Sequence, residues 1–300
     1  RAVHRLLGLL DGGLGLNLSG LGTNVGVWDG GSILSTHQEF LAGHITVLDA
    51  VATNYHSTHV AGTIAAQGVV PAARGMASGV QIFSRDFNSD TSEMATDAAA
   101  RNLHLSNHSY GYVIGWDGRV VNTSRGPRDY WLGDAAVSLL EDDGFGQYNS
   151  YARTYDQIVY NNPNLLSVWS AGNDRSDSFL NYSGTGEWLA YFSTAPTSYL
   201  SNEGGGMYVV SAATGHAPPP SDGNGGTGYD SLSFSGQTAK NTLVVGAMAD
   251  HTVDPHNGAA MATTFFSSYG GTDDGRLGVT VVGNGDGLYS TDDDNNADYT

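Results

Sequence analysis

The chain has 300 residues, 40% of them hydrophobic, with 42 glycines against 8 prolines, a composition that supports one large core with many tight turns rather than disorder. Thirty acidic residues against twelve basic ones give a formal charge of −18, and Lys240 is the sole lysine, so neither nucleic acid nor an anionic membrane surface is expected as a partner. The lack of cysteine excludes disulfides, thiolate metal sites and a cysteine nucleophile, and no apolar run approaches the ~18 residues of a membrane helix.

Residues 1–21 read as an N-terminal extension of a single domain spanning 1–300, and Arg1 in place of a methionine suggests a processed or trimmed start. Apolar runs bounded by glycine or polar turns then recur at Val25–Trp28, Val80–Phe83, Leu103–Leu105, Leu165–Trp169 and Leu243–Ala247. Their continuity predicts strands buried on both faces and hence a mostly parallel sheet. Helices are predicted between them over Val60–Ala66, over Glu93–Arg101 behind an Asp90…Glu93 capping-box spacing, and over Gln147–Tyr160, where Tyr148, Tyr151, Tyr155, Ile158 and Val159 share a face. This alternation argues for a doubly wound α/β fold with helices on both faces of the sheet. The segments 112–146, 174–228 and 250–264, rich in Gly, Ser, Asp and Tyr, read as long surface insertions.

In open α/β sheets the working groups collect beyond the carboxyl ends of the strands. Asp29 ends the first strand and is followed by two glycines, which suits a turn aspartate and a functional carboxylate equally. His56 and His59, three residues apart at the head of a small-residue helix, admit a metal pair, a base with a packing neighbour, or two structural histidines. Small Ala61, Gly62 and Ala65 would let that helix lie close on the sheet. Asn173 follows the strand ending Ser170-Ala171-Gly172, where its amide could donate to a developing oxyanion. Ser109-Tyr110-Gly111 follows another strand end, whose small residues could pair with an extended peptide.

In this order the segments resemble the subtilisin-like serine peptidases. Val25-Gly26-Val27-Trp28-Asp29-Gly30-Gly31 is similar to the family's aspartate strand, His56-Ser57-Thr58-His59-Val60-Ala61-Gly62-Thr63 to its histidine helix, Ser106–Gly111 to its substrate-binding strand, and Val168–Asp174 to its A-A-G-N turn. Downstream, Thr238–Ala247 and Phe266–Arg276 resemble its T-A-K-N…V-G-A and F-S-S-x-G segments, and the closest flavour is the bacterial high-molecular-weight alkaline subtilases. The resemblance implies a secreted endopeptidase acting on polypeptides, with Asp29 orienting the base His56, Asn173 serving the oxyanion, and His59 structural. It places Ser109, Tyr110, Gly111, Ser170, Ala171 and Gly172 along a substrate slot that tolerates large apolar or aromatic side chains.

Several positions depart from the family pattern. Ser57 replaces a glycine, and Gly271 stands where a proline is usual. No G-T-S-M-A nucleophile motif occurs; Gly258-Ala259-Ala260-Met261-Ala262-Thr263 imitates it with alanines but precedes the F-S-S-x-G segment, where the family's serine follows it. The resemblance therefore implies a serine supplied by a C-terminal segment or fragment past Thr300, and a 300-residue chain that is inactive alone. A subtilase-fold binding or scaffold protein is the alternative. No cofactor is implied for the chemistry. Metal ligands are unassigned, with structural Ca²⁺ admissible at the acidic clusters Glu141-Asp142-Asp143, Asp273-Asp274 and Asp292-Asp293-Asp294.

Overall fold

The computed structural model describes residues 18–224, 231–249 and 261–300. Most of the expected N-terminal extension, parts of the 174–228 and 250–264 segments, and residues 258–260 of the serine-motif imitation lie outside them. Twelve strands are formed among the described residues: β1 (Asn24–Asp29), β2 (Ile45–Val47), β3 (Gln81–Asp86), β4 (Leu105–His108), β5 (Trp116–Thr123), β6 (Gly126–Asp134), β7 (Leu166–Ser170), β8 (Glu187–Tyr191), β9 (Ser201–Gly204), β10 (Met207–Ser211), β11 (Leu243–Met248) and β12 (Val281–Asn284). Three α-helices accompany them: α1 (Tyr55–Ala65), α2 (Asp90–Ala100) and α3 (Ser150–Asn161).

The side chains of β1 show how the main sheet is built. Val25 and Val27 pack with Ile33, Ala61, Ala65 and Ile82 on one face, whereas Trp28 packs with Met94, Leu103, Ala152 and Trp169 on the other. Such two-sided burial is what a continuous apolar run implies. The sheet has the order β12-β11-β7-β4-β1-β3-β2, and every ladder in it is parallel. Helix α1 covers the valine face, and α2 and α3 cover the tryptophan face. The expected doubly wound α/β architecture is therefore present.

Local chemistry moves several boundaries. Helix α1 begins early because the Asn54 side chain accepts from the His56 and Ser57 amides, a strong N-cap arrangement. The capping box expected at α2 does not form. Ser89, left-handed at φ 63°, precedes the helix without a side-chain cap. Both carboxylates are engaged elsewhere, Asp90 by the hydroxyls of Tyr110 and Tyr155 and Glu93 by the Trp28 indole and Arg85. Strand β4 starts at Leu105 because the Leu103 amide closes the end of α2 on the Ala98 carbonyl. Helix α3 buries Ala152, Tyr155, Asp156 and Ile158 and leaves Tyr151 exposed. Its buried Asp156 accepts from the Lys240 and Asn241 amides and from Tyr148.

Two segments read as surface insertions instead pair with each other. Strands β5 and β6 from the first, and β8, β9 and β10 from the second, make a five-stranded sheet of order β5-β6-β8-β10-β9. Only its β6–β8 ladder is parallel. Trp116, Trp131 and Trp188 form its core, with Tyr208 and Val210.

Among the described residues the valine face of the main sheet is only partly covered. Beside α1, an apolar trench of about 350 Å³ runs over Val25, Leu105 and Val168, with Ile64 and Val80 in its wall. The segment ending at Thr300 lies on α1. Ser290 and Thr300 exchange backbone hydrogen bonds, and the hydroxyls of Ser290 and Thr291 donate to the carbonyls of His59 and Thr58. This approach requires Gly62, since a Cβ there would collide with the hydroxyl oxygens of both Ser290 and Thr291. Gly62 thus serves this segment, whereas Ala61 and Ala65 face the sheet.

Replacing Gly62 by alanine adds about 1 kcal/mol of helix propensity. Against it stands overpacking of two buried, hydrogen-bonded hydroxyls, which costs about 1–3 kcal/mol. Gly62→Ala is expected to be destabilising by about 1 kcal/mol on balance, measured by urea unfolding; an unchanged or higher midpoint would show that the 288–300 segment does not depend on this approach.

Candidate active site

Strands β1, β4 and β7 are adjacent, with Trp28 opposite His108 and His108 opposite Trp169. The three rings stack, with centroids 5.3 Å apart for Trp28–His108 and 4.2 Å for His108–Trp169 and interplanar angles of 14° and 8°. Burial pushes the His108 imidazole down to about 3, so a neutral ring fills the stack. The next residue on each strand is Asp29, Ser109 or Ser170. These three leave the sheet side by side at its carboxyl edge, and strand alternation turns them toward the face that carries α1.

Asp29 is buried, and its Oδ1 accepts three hydrogen bonds: from the Gly30 amide (2.7 Å), His56 Nδ1 (2.7 Å) and the Ser57 hydroxyl (3.2 Å). Because a carboxylate only accepts, the His56 proton lies on Nδ1 and Nε2 is left as the basic nitrogen. The hydrogen bond to Asp29 raises the His56 pKa above 6.5, with burial opposing it. Ser57, where the resemblance leads one to expect glycine, adds a second side-chain donor to the same oxygen. Sequence reasoning missed that function, since its signal was only the departure itself.

His59, expected to be structural, faces the 288–300 segment rather than the sheet. Its Nε2 lies 3.3 Å from the Leu288 carbonyl, and burial lowers its pKa, so a neutral ring pins the 288–300 segment. The two rings of the NYHSTHVAG stretch therefore have different partners, which disfavours a metal pair. Among the described residues the group able to place three ligand oxygens together is Asp292, Asp293 and Asp294, all within 4.8 Å of one another. Other acidic candidates are engaged: Asp142 accepts from the Gly115 and Gly144 amides, and Asp274 pairs with Arg276.

A cleft of about 280 Å³ opens in front of His56, and Ser109, Tyr110, Gly111, Ser170, Gly172 and Asn173 line it. Ala171, expected among them, is instead buried with Leu232 and Val244, because its amide continues the ladder to the Val245 carbonyl. Tyr112, Val113, Asp174 and Ser233 also line the cleft. Asp174 was legible as the residue after the asparagine; Ser233 had no motif to announce it.

The turn presenting Asn173 is braced from behind. Gly172 sits at φ 106° with its carbonyl on the Ser268 amide. The Ser268 hydroxyl lies 3.1 Å from the Asp174 amide and 3.2 Å from its carboxylate. Asn173 itself is exposed to the cleft. Burial, reinforced by Asp177, pushes the Asp174 carboxyl up to about 7.

This shift has a definite sign. A carboxyl whose pKa is higher folded than unfolded gives stability that is full below about pH 4 and is lost as pH rises through about 7. His56, also raised, and Asp222, raised to about 9 by burial, act in the same direction. His108 and His59, both lowered by burial, oppose this only below about pH 6.5, so the melting temperature is expected to fall between about pH 6.5 and pH 8. Asp174→Asn, whose side-chain oxygen still accepts from Ser268, should flatten that decline; an equal decline in both proteins would place the effect elsewhere.

Among solved structures, the chain is similar to the Clostridium perfringens CspB protease, with a TM-score of 0.57 and 14% identity over 97% of this chain and 81% of that one. It is also similar to the prenylagaramide maturation protease PagA, with a TM-score of 0.49 and 15% identity over 92% of this chain and 67% of that one. A third likeness is to the MycP3 protease of the type VII (ESX-3) secretion system, with a TM-score of 0.48 and 16% identity over 94% and 64% of the two chains. The subtilase family model matches residues 45–300, and the chain belongs to the subtilase family.

Proposed function

We propose that the protein is the larger part of a secreted serine endopeptidase, in which Asp29 orients His56, His56 is the general base and Asn173 donates to the oxyanion. The observation that carries this reading is the 2.7 Å contact of buried Asp29 Oδ1 with His56 Nδ1, at the mouth of a cleft that Asn173 also lines. A serine hydroxyl is a weak nucleophile until an imidazole removes its proton, and the imidazolium then formed needs a fixed carboxylate. His56 Nε2 would take that proton as the oxygen attacks the peptide carbonyl and return it to the leaving amine. Tyr110 and Gly111 on one wall, with Ser170 and Gly172 on the other, would hold the substrate as an added strand.

The nucleophile is proposed to come from polypeptide following Thr300. The 288–300 segment is held on the first turns of α1, where His59 is pinned to Leu288 one turn from His56. The neighbouring trench over Val25, Leu105 and Val168 has the apolar lining that an amphipathic helix would cover. A helix seated there would start beside His56.

The test is to express residues 1–300 with and without the downstream segment and to assay both with a peptide substrate and a serine-directed fluorophosphonate probe. Turnover and labelling are expected only in the longer protein, and labelling of the 300-residue chain would overturn the placement of the serine. In the longer protein, Asn173→Ala is expected to lower kcat about 10²–10³-fold, as loss of one oxyanion donor does. Asp29→Asn should cost about 10⁴-fold by leaving the wrong imidazole tautomer. An unchanged kcat in either variant would remove that residue from the mechanism.

A further inference from the structure

The turn between β1 and β2 and the 288–300 segment, far apart in sequence, meet at one carboxylate. Glu39 has no exposed surface, and four donors reach it: the amides of Gly68 (2.6 Å) and Val69 (2.9 Å) at Oε2, and the amide of Val70 (2.8 Å) and the hydroxyl of Tyr299 (2.9 Å) at Oε1. A group met only by donors must accept at every site, which suits a carboxylate. Three of the bonds go to the loop that follows α1, and the fourth reaches 260 residues along the chain. We propose that Glu39 is a positioning residue for the nucleophile: through Tyr299 it fixes the arm of polypeptide that leads into the residues after Thr300. This deepens the peptidase reading and rests on it for what those residues carry.

Residues 290–300 form a narrow hairpin whose two arms have different supports. Ser290 and Thr300 exchange backbone bonds, Thr291 bridges Tyr299, and the Asp292 amide donates to the Asp298 carbonyl. The first arm rests on α1 through the hydroxyls of Ser290 and Thr291. The second rests on the 37–39 turn: the Gln38 amide donates to the Asn296 carbonyl (2.8 Å), and His37 Nε2 lies 2.9 Å from the Asp298 carbonyl. Because the Glu39 amide donates to His37 Nδ1, the imidazole proton is on Nε2 and that contact is a hydrogen bond. The Tyr299 ring is caught between Tyr289, stacked with centroids 5.5 Å apart, and His37, at right angles and 5.2 Å away. Glu39 and Gln38 then hold its hydroxyl.

The consequence for chemistry is one of placement. The backbones of Leu288 and Thr300 both face the His59 ring, and His59 is one helical turn from His56, so the second arm ends near the base. A nucleophile works only when its oxygen is within hydrogen-bond reach of the imidazole, and a misplacement of about 1 Å costs about 10²-fold in rate. The hairpin alone cannot guarantee that, because two short paired strands are marginally stable at best in water. Tyr299 supplies the constraint: its hydroxyl ties the second arm to a buried carboxylate that three amides of the loop after α1 already hold. Gln67 reinforces the loop side by donating its amide to the Glu39 carbonyl (2.9 Å). One residue thus sets the exit of α1 and the exit of the arm against each other.

The experiment uses the longer protein, well below its melting temperature. Tyr299→Phe keeps the ring with its two aromatic neighbours and removes only the hydroxyl, while Gln38, exposed at the surface, turns to water. This variant is expected to lower kcat and the rate of fluorophosphonate labelling about tenfold each. KM and the acid limb of the pH profile, which report the substrate cleft and His56, should stay as they were; a role in stability alone would leave kcat unmoved. Glu39→Gln, which keeps one acceptor oxygen, should lower kcat at least as far, and the double variant should lose less than the two single effects combined. Tyr299→Phe decides the matter should Glu39→Gln not fold. Hydrogen exchange of the Thr300 amide, which needs no catalysis, should quicken about tenfold in Tyr299→Phe while the β11 amides keep their rates. Unchanged kcat and labelling in Tyr299→Phe, a loss that appears in KM instead, or a loss of kcat with Thr300 exchange unchanged each overturns the role of Glu39 and leaves the peptidase reading in place. A longer protein inert in both assays before any substitution overturns the two together.

Discussion

The register of three parallel strands fixes nearly everything at the carboxyl edge of the sheet. Trp28, His108 and Trp169 lie on one rung, and their rings stack across β1, β4 and β7. A slip of one residue in any strand would send that ring to the opposite face and break the stack. The same slip would displace Asp29, Ser109 or Ser170 from the next rung. The core therefore specifies the site: a large aromatic row that tolerates only one alignment holds three strand ends in step. The row needs an uncharged histidine, and full burial supplies one by holding His108 far below its ordinary pKa.

The two faces of the sheet divide the labour. The tryptophan face is closed by α2 and α3 and gives rigidity. The valine face carries α1, which must both pack on Val25 and Val27 and aim His56 at Asp29. A helix can do both because its first turn projects past the strand ends while its later residues, Ala61 and Ala65, rest on the sheet. Gly62 frees the third side of the same helix for Ser290 and Thr291. Eleven residues of α1 thus meet the sheet, the dyad and the 288–300 segment, and small side chains are what make the three approaches compatible.

The main sheet and the dyad were legible because their signals are local. Val25–Trp28 and Leu165–Trp169 are short runs of apolar and small residues, and Asp29, His56 and Asn173 each sit in a short segment whose neighbours repeat a family pattern. The second sheet was not legible, since its strands alternate in a way that looks polar: β6 reads Gly-Pro-Arg-Asp-Tyr-Trp-Leu-Gly-Asp. Its buried Arg128 is paired with Glu187, 59 residues away, and its tryptophans meet only once β5, β6 and β8 have come together. Long-range pairing of this kind leaves no periodicity within one segment. The fate of Ala171 was missed for a related reason, because a motif gives identity without saying which way a side chain turns.

Tyr110 links the parts of the site that a motif description keeps separate. Its hydroxyl lies 2.9 Å from His108 Nδ1 and donates to Asp90. Because Tyr110 uses its own proton on Asp90, its oxygen faces the His108 Nδ1 as an acceptor, and on the other side of the ring Nε2 lies 3.0 Å from the hydroxyl of Ser106, which in turn donates to Ser167. The aromatic row, the cleft wall and the Asp90 carboxylate are therefore linked in one hydrogen-bonded chain. Buried networks of this kind act as a unit, so disturbances at His108 or Tyr110 reach the dyad strand and the start of α2 at Asp90 together.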